Sequence, residues 1–433
     1  MKEPVDQIRQ GNCGQGSHLS DLTIDHMRPI AEIALAGVPP DSRVLAIIPD
    51  KTRDDNTHLV FGVIAETLRK KSVSLDALVA QGTHGPMSQA EKHLKIGLDR
   101  QNPVQNLGTI YDHHWDRPEE LVSIGELTAA EVSRITGGLL DAAIELKINQ
   151  RVTSPEYTTI LIIGATVPHE VAGFAGGAKY FFPGVSGPEL THKTHWLAAL
   201  ATIEKTIGRV ETPTRHLMEA AADKIDKPVI AFTSVVSRDD ADKLRTYATF
   251  AGDMRWSLRQ AAMVSERVHI KYLERRYARV VAILDEHYKD LWVGGKASYR
   301  LGSVIEPGGE LIIYAPHLRC ISDTHGADIE KFGGYAPIEI IRDLVASSGE
   351  LQANLCVAAH LAHVAYAGQA DASGKITAKF RIKLASQVDE GTCRRVNLEY
   401  LDHTTFDTET FSRDPDTLVV PRAGRDLYLL RAA

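Results

Sequence analysis

The sequence predicts an α/β protein of two α/β domains, each built on a parallel-type sheet, with an active-site cleft between them. Three observations lead there. The chain's 433 residues exceed one ordinary domain. Short apolar runs rich in Val, Ile and Leu alternate with stretches of helical period, which is the signature of βα units. Polar residues of catalytic type fall just after the C-terminal ends of those runs, the edge at which open parallel sheets bind ligands. Composition narrows the class further. A net charge of -7 leaves no basic excess to neutralise phosphates, which argues against a general nucleic-acid binder. The N-terminal stretch has no hydrophobic segment of a signal peptide, and no apolar run has transmembrane length. Cys13, Cys320, Cys356 and Cys393 form no CxxC pair, which suits a reducing compartment. The expectation is a cytoplasmic enzyme that binds neither nucleic acid nor membrane.

The elements follow in order. "RVLAIIPD" reads as a buried strand ending at Asp50, and "THLVFGVIAETLRKK" as the amphipathic helix after it. "LDALVAQGTH" is a second strand running to His84, "TTILIIGATVPH" a third running to His169, and "KPVIAFTSVV" a fourth. A helix is expected over 254–276, closing the first domain at 1–273. "ARVVAILDE" restarts a strand, "LWVGGKASYRLG" a helix and "GELIIYAP" another strand, which makes 274–433 the second domain. "PIEIIRDLVASSGE" and "LQANLCVAAHLAHVAYAG" have helical period, and "TLVVPRAGRDLYLL" reads as a β-hairpin turning at Ala423-Gly424.

The chemistry concentrates in "HEVAGFAGGAKYFFPGVSGPELTHKTH", His169 to His195. "GFAGGAK" has neither Walker A spacing nor the GxGxxG order of a dinucleotide loop. Its glycines, Gly176 and Gly177 among them, let backbone approach a ligand closely, or simply serve a long surface loop. His192 and His195 are three apart, so on a helix they share a face and suit either a metal or solvent. "IIPDKTR" leaves Asp50, Thr52 and Arg53 at a strand's mouth. There an arginine suits a carboxylate or phosphate, and an aspartate suits an orienting role or a helix cap. "QGTHGPM" puts His84 in the equivalent place. "HYKDLWVGGK" brings Trp292 and Lys296 near the second domain's first strand, where the lysine could meet an anionic substrate or only solvent.

Taken together, "PDKTR", "GTHGPM", "HEVAGFAGGAKYFFPGVSG", a histidine sixteen residues beyond the lysine, and "DLWVGGK" resemble the lactate racemase family of nickel-pincer-nucleotide enzymes. The motifs span about residues 40–300. The resemblance implies a pyridinium mononucleotide cofactor that carries nickel held by sulfur, carbon and sulfur. That cofactor would be joined covalently to Lys179, with His195 completing the nickel coordination and dedicated cofactor-synthesis enzymes as maturation partners. It implies that His84 and His169 act as acid and base on opposite faces of a small-molecule 2-hydroxy acid. Asp50, Thr52, Arg53, Gly176 and Gly177 would hold the cofactor, and Arg53, Lys296 and Trp292 the substrate.

Such chemistry is physically reasonable. A carbon-2 proton is too weakly acidic for imidazole to remove, whereas hydride removal gives a planar keto acid that can be reduced on either face. Histidine suits both roles because its ordinary pKa lies near neutrality. Two departures bear on substrate. Gly85 stands where lactate racemases tend to carry arginine, and Val293 where they carry a polar amide. Both suggest a substrate larger than lactate, such as an aldonic acid, with His287, Tyr288 or His325 touching its extra hydroxyls. The competing reading is a non-catalytic homologue that binds a hydroxy acid or nucleotide. A hydrolase or dehydrogenase is disfavoured by the missing GxSxG and dinucleotide motifs.

Overall fold

The computed structural model describes residues 11–98 and 104–431. Residues 1–10 of the N-terminal segment read above therefore lie outside the described residues. The chain divides into two compact units, Met1–Thr194 with Arg209–Val268, and His195–Gly208 with His269–Ala433.

The first unit is built on a sheet of seven strands. They are β1 (Cys13–Gly16), β2 (Arg43–Pro49), β3 (Ser74–Ala80), β4 (Leu107–Tyr111), β5 (Thr159–Ala165), β6 (Val229–Arg238) and β7 (Leu244–Gly252), in the spatial order β1-β7-β6-β5-β2-β3-β4. The five strands from β6 to β4 are mutually parallel, and β7 and β1 add an antiparallel edge. The parallel strands read as unbroken apolar runs because both faces are covered. Val44 to Ile48 are wholly buried. Helices α1 (Ile24–Ala34) and α2 (Thr57–Arg69) cover one face, and Phe61, Ile64 and Leu68 of α2 join Leu35, Val44 and Val79 in the core. Three further helices follow: α3 (Pro188–Ala201), α4 (Pro213–Ala222) and α5 (Met254–His269). Proline at the head of α3 and of α4 costs nothing, because the first-turn N–H groups have no intrahelical partner.

The second unit holds β8 (Ile270–Leu273), β9 (Tyr277–Ile283), β10 (Ile305–Tyr314), β11 (Arg381–Ser386), β12 (Glu399–Asp402), β13 (Thr417–Val420) and β14 (Leu427–Leu430). Five of these form an all-parallel sheet in the order β12-β11-β10-β9-β13, and β8 pairs with β14 in a separate parallel ladder. The mixed α/β class with parallel sheets is as expected.

Three element readings need correction. The helix expected over 254–276 stops at His269, and Ile270–Leu273 is strand β8, its register fixed by pairing with Leu427–Leu430. The expected terminal hairpin does not form. Positive φ at Arg422 and Gly424 turns the chain out of the five-stranded sheet, so β13 and β14 belong to different sheets. The expected helix over 291–302 is two short ones, α6 (Leu291–Gly294) and α7 (Lys296–Leu301), divided at Gly295. Among the described residues no helix is long and apolar enough to cross a membrane.

Candidate functional site

The sheet order locates the candidate site. From β2 the chain passes to β3 and β4 on one side, then returns to β5 on the other side of β2. The segments leaving β2 and β5 therefore diverge, and crevices of this kind bind ligands in open α/β sheets. Asp50, Thr52 and Arg53 follow β2, His84 follows β3, and Thr166 to His169 follow β5.

Asp50 is buried, and both of its oxygens are engaged. Oδ1 accepts from the Thr52 backbone N–H at 3.0 Å and from the Thr52 hydroxyl at 2.6 Å. Oδ2 meets His84 Nδ1 at 2.5 Å. Burial opposes ionisation of Asp50. The hydrogen bond and charge of His84, the charge of Arg53 and the Thr52 hydroxyl outweigh it and hold the carboxyl well below the usual range. The His84 side chain is half exposed while its aspartate is buried, so the imidazole is oriented from beneath. The turn that presents it is pinned by Gln81, whose Nε2 donates to the Gly85 carbonyl at 2.8 Å and to Asp112 Oδ1 at 3.1 Å.

His169 is buried in a two-residue ladder in which Pro168 and His169 pair with Phe174 and Gly173. Its Nδ1 accepts from the Val171 N–H at 3.0 Å and lies 3.7 Å from Glu170 Oε2. Lys179 follows on the same loop. Part of its surface reaches solvent, yet protein is packed densely around the amine, and the dense packing governs its titration. Burial, reinforced by the positive charges of Arg53 and Arg215, lowers its pKa to about 7 against the opposing charges of Glu170 and Asp50. Gly176 and Gly177 are buried at φ of +102° and +59°, and a Cβ at Gly176 would lie 2.9 Å from Thr166 Oγ1. These glycines shape the loop.

Two supports escaped the sequence reading. Arg215 on α4 is wholly buried and donates to three loop carbonyls: Gly176 at 2.9 Å, Ala172 at 3.4 Å, and Phe174. Nothing in "PTRHLME" distinguishes such a residue from a solvated helical arginine. Tyr180, next to Lys179, stands on Gly164 of β5, where a Cβ would lie 1.6 Å from the phenol oxygen. A glycine inside an otherwise Ile-rich strand was the available signal.

The second unit repeats the topological device. From β9 the chain passes to β10, β11 and β12 on one side and returns to β13 on the other. The segment leaving β9 carries Trp292 on α6 and Lys296 at the start of α7. Asp290 caps α6, accepting from Val293 N–H at 3.2 Å. The Trp292 ring meets two imidazoles, with centroids 4.2 Å from His325 and 4.0 Å from His360. His360 Nδ1 is in turn 3.1 Å from the Tyr299 hydroxyl. Of the residues expected to meet extra hydroxyls, His287 is exposed and paired with Asp285 at 2.9 Å, Tyr288 is partly buried, and His325 is in the Trp292 stack. His195 is half-buried on α3, in the part of that helix belonging to the second unit. Among the described residues no group of three or more His, Cys, Asp or Glu side chains is placed to hold a metal ion.

Residues 25–208 match the model of the lactate racemase N-terminal domain, a span holding Asp50, Arg53, His84, His169, Lys179 and His195. This span is similar to the lactate racemase N-terminal domain, as the motifs lead one to expect. The chain's similarity to the lactate racemase of Thermoanaerobacterium thermosaccharolyticum is 24% identity over 302 residues, covering 66% of this chain and 61% of that one. For the lactate racemase of Lactiplantibacillus plantarum it is 27% over 215 residues, covering 49% and 45%. The matched stretches thus span less than two thirds of either curated relative. A crystal structure of a Thermotoga maritima protein superposes with a TM-score of 0.83 at 30% identity, over 95% of this chain and 99% of that one. The lactate racemase apoprotein of T. thermosaccharolyticum superposes with a TM-score of 0.69 at 15% identity, over 99% and 97%. That second likeness concerns the fold alone.

Proposed function

We propose that the protein racemises or epimerises a 2-hydroxy acid at carbon-2, using a nickel-pincer nucleotide joined to Lys179. One observation carries the reading. At a single strand-end edge, a lysine held near neutrality shares its surroundings with a carboxylate-oriented imidazole on His84. The residues fit the group. A neutral amine is the nucleophilic form that covalent attachment requires. Arg53 offers a planar cation for phosphate or carboxylate, and His195 offers one imidazole to a metal otherwise held by the cofactor. When bound, that group supplies the hydride acceptor.

The remaining work falls to the chain. Asp50 fixes the His84 ring so that Nε2 faces away from the carboxylate and takes the substrate's hydroxyl proton. His169 serves the opposite face. Lys296 binds the substrate carboxylate and Trp292 forms an apolar wall. Gly85 supports a substrate larger than lactate, such as an aldonic acid. It is exposed, and a Cβ built there meets nothing within 4 Å, so the position beside His84 is open. Val293 is also exposed, at 37%. Maturation by cofactor-synthesis enzymes in the cytoplasm belongs to the same proposal.

The test is intact mass with nickel analysis on protein co-produced with those enzymes, followed by carbon-2-deuterated aldonic acids and lactate as substrates. The expected result is an adduct on the Lys179 peptide, about one nickel per chain, and inversion of the larger acids. Absence of adduct and nickel, with a lactate racemase loaded in the same host, would leave a binding protein and end the proposal.

A further inference from the structure

The two histidines are held at the same ring atom by partners of opposite sense. His84 Nδ1 faces the Asp50 carboxylate at 2.5 Å. Both donors on Asp50 Oδ1 come from Thr52, which keeps the carboxylate an acceptor toward His84. Nδ1 of His84 must therefore carry a proton and donate it, and Nε2 keeps its lone pair in the neutral ring. At His169 the arrangement is reversed. The Val171 backbone N–H can only donate, so Nδ1 of His169 must hold the lone pair and the neutral ring carries its proton on Nε2. In that state His169 can donate a hydrogen bond to a substrate oxygen but cannot take a proton from it. Glu170 Oε2 lies 3.7 Å from the same Nδ1, so one nitrogen has a donor in contact and a carboxylate about 1 Å beyond charge-assisted hydrogen-bond range.

We propose that His84 and His169 rest in opposite tautomers, and that Glu170 is the positioning residue that turns His169 into a base. The inference rests on the acid–base reading of both histidines given above. The proton balance is simple. His169 takes one proton from water at Nδ1, releases the Val171 N–H, and as imidazolium donates Nδ1–H to Glu170. It then gives its Nε2 proton to the substrate oxygen as carbon-2 is reduced. The ring left behind is neutral, with Nδ1–H on Glu170 and a lone pair on Nε2, and it accepts a hydroxyl proton in the reverse direction. The form held by Val171 stands outside this cycle.

The first test needs no cofactor. Two-bond ¹H–¹⁵N spectra of labelled protein free of adduct are recorded above the imidazole range, with His84→Gln and His169→Gln for assignment. Protonated Nδ1 on His84 and protonated Nε2 on His169 are expected, and the same tautomer in both rings overturns the inference. In the loaded enzyme, Glu170→Gln should lower kcat at least about tenfold in both directions, a conservative share of what general acid–base groups supply. KM, adduct mass and the urea midpoint should hold, and Glu170→Asp should restore part of the rate. Wild-type kcat in Glu170→Gln removes Glu170 from the cycle. Opposite tautomers in a loaded enzyme that turns over no hydroxy acid would end the proposed function and the Glu170 role with it. In that outcome only the tautomer assignment would stand.

Discussion

Replacing Lys179 with methionine in protein that carries no adduct should stabilise the fold, by an amount that depends on pH. The amine titrates near 10.5 when unfolded and at about 7 in the fold. Above 10.5 both states are neutral and the lysine costs nothing. Between the two values the unfolded chain binds a proton that the folded chain does not, so stability rises with pH across this window. At pH 7 the linkage comes to about 4 kcal/mol, at pH 9 to about 2 kcal/mol, and it vanishes beyond pH 11. Lys179→Met removes this cost while keeping most of the side chain's volume. Any packing difference adds a constant, so the pH slope is the diagnostic. Urea unfolding of both proteins at pH 7, 8 and 9 should show the advantage of Lys179→Met shrinking by about 1 kcal/mol per pH unit. An advantage that stays constant over that range would mean that Lys179 titrates as an ordinary surface lysine. Lys179 would then lack the neutral amine that a nucleophilic attachment residue needs.

Three further outcomes are expected. Arg215→Met leaves the carbonyls of Ala172, Phe174 and Gly176 without their shared donor, and should cost about 3 kcal/mol in urea unfolding, with Arg215→Lys intermediate because an ammonium cannot fork to three acceptors. Asp50→Asn should lower kcat of the loaded enzyme roughly a hundredfold by releasing the His84 tautomer. Because the Asp50 carboxyl is depressed, its stabilising contribution is present above the ordinary carboxylate range and lost as pH falls through the lower folded value. The wild-type advantage over Asp50→Asn should therefore fade only in strong acid, as read by circular dichroism. Gly164→Ala places a methyl group where the Tyr180 hydroxyl sits, so it should displace the loop and speed proteolysis around Lys179, and an unchanged cleavage pattern would deny Tyr180 its anchoring role.

The strands were legible because burial on both faces of a parallel sheet leaves continuous apolar runs such as "RVLAII" and "TILIIGA", with polar residues falling at their ends. The same logic brought Asp50 and His84 to one edge, where they meet at 2.5 Å. Connections were harder to read. The 254–276 stretch keeps helical period past its true end, because Ile270 to Leu273 are held as strand by a partner more than 150 residues away in sequence. "TLVVPRAGRDLYLL" has the composition of a hairpin, and only the separate partners of its halves exclude one. The supporting shell was the least legible part. Arg215 and Gln81 act through backbone carbonyls and through side chains distant in sequence, so their neighbours along the chain carry no mark of the role.

Two requirements of the proposed function are opposed in charge yet both helped by one group. The orienting carboxylate of His84 must stay ionised, and the lysine must stay neutral. Burial helps the second and hinders the first, because desolvation penalises whichever form carries charge. A fixed positive charge eases the conflict, since it favours a neighbouring carboxylate and disfavours a neighbouring ammonium. Arg53 acts on both groups in that sense, lowering Asp50 and Lys179 alike. A second lysine at that position would serve less well, because an ammonium shifts its own pKa when crowded, whereas guanidinium stays charged. The "DKTR" run is thus one electrostatic unit. Its aspartate orients the His84 imidazole, its threonine occupies the aspartate's other oxygen, and its arginine reinforces burial in lowering the pKa of the lysine that follows 126 residues later in the chain.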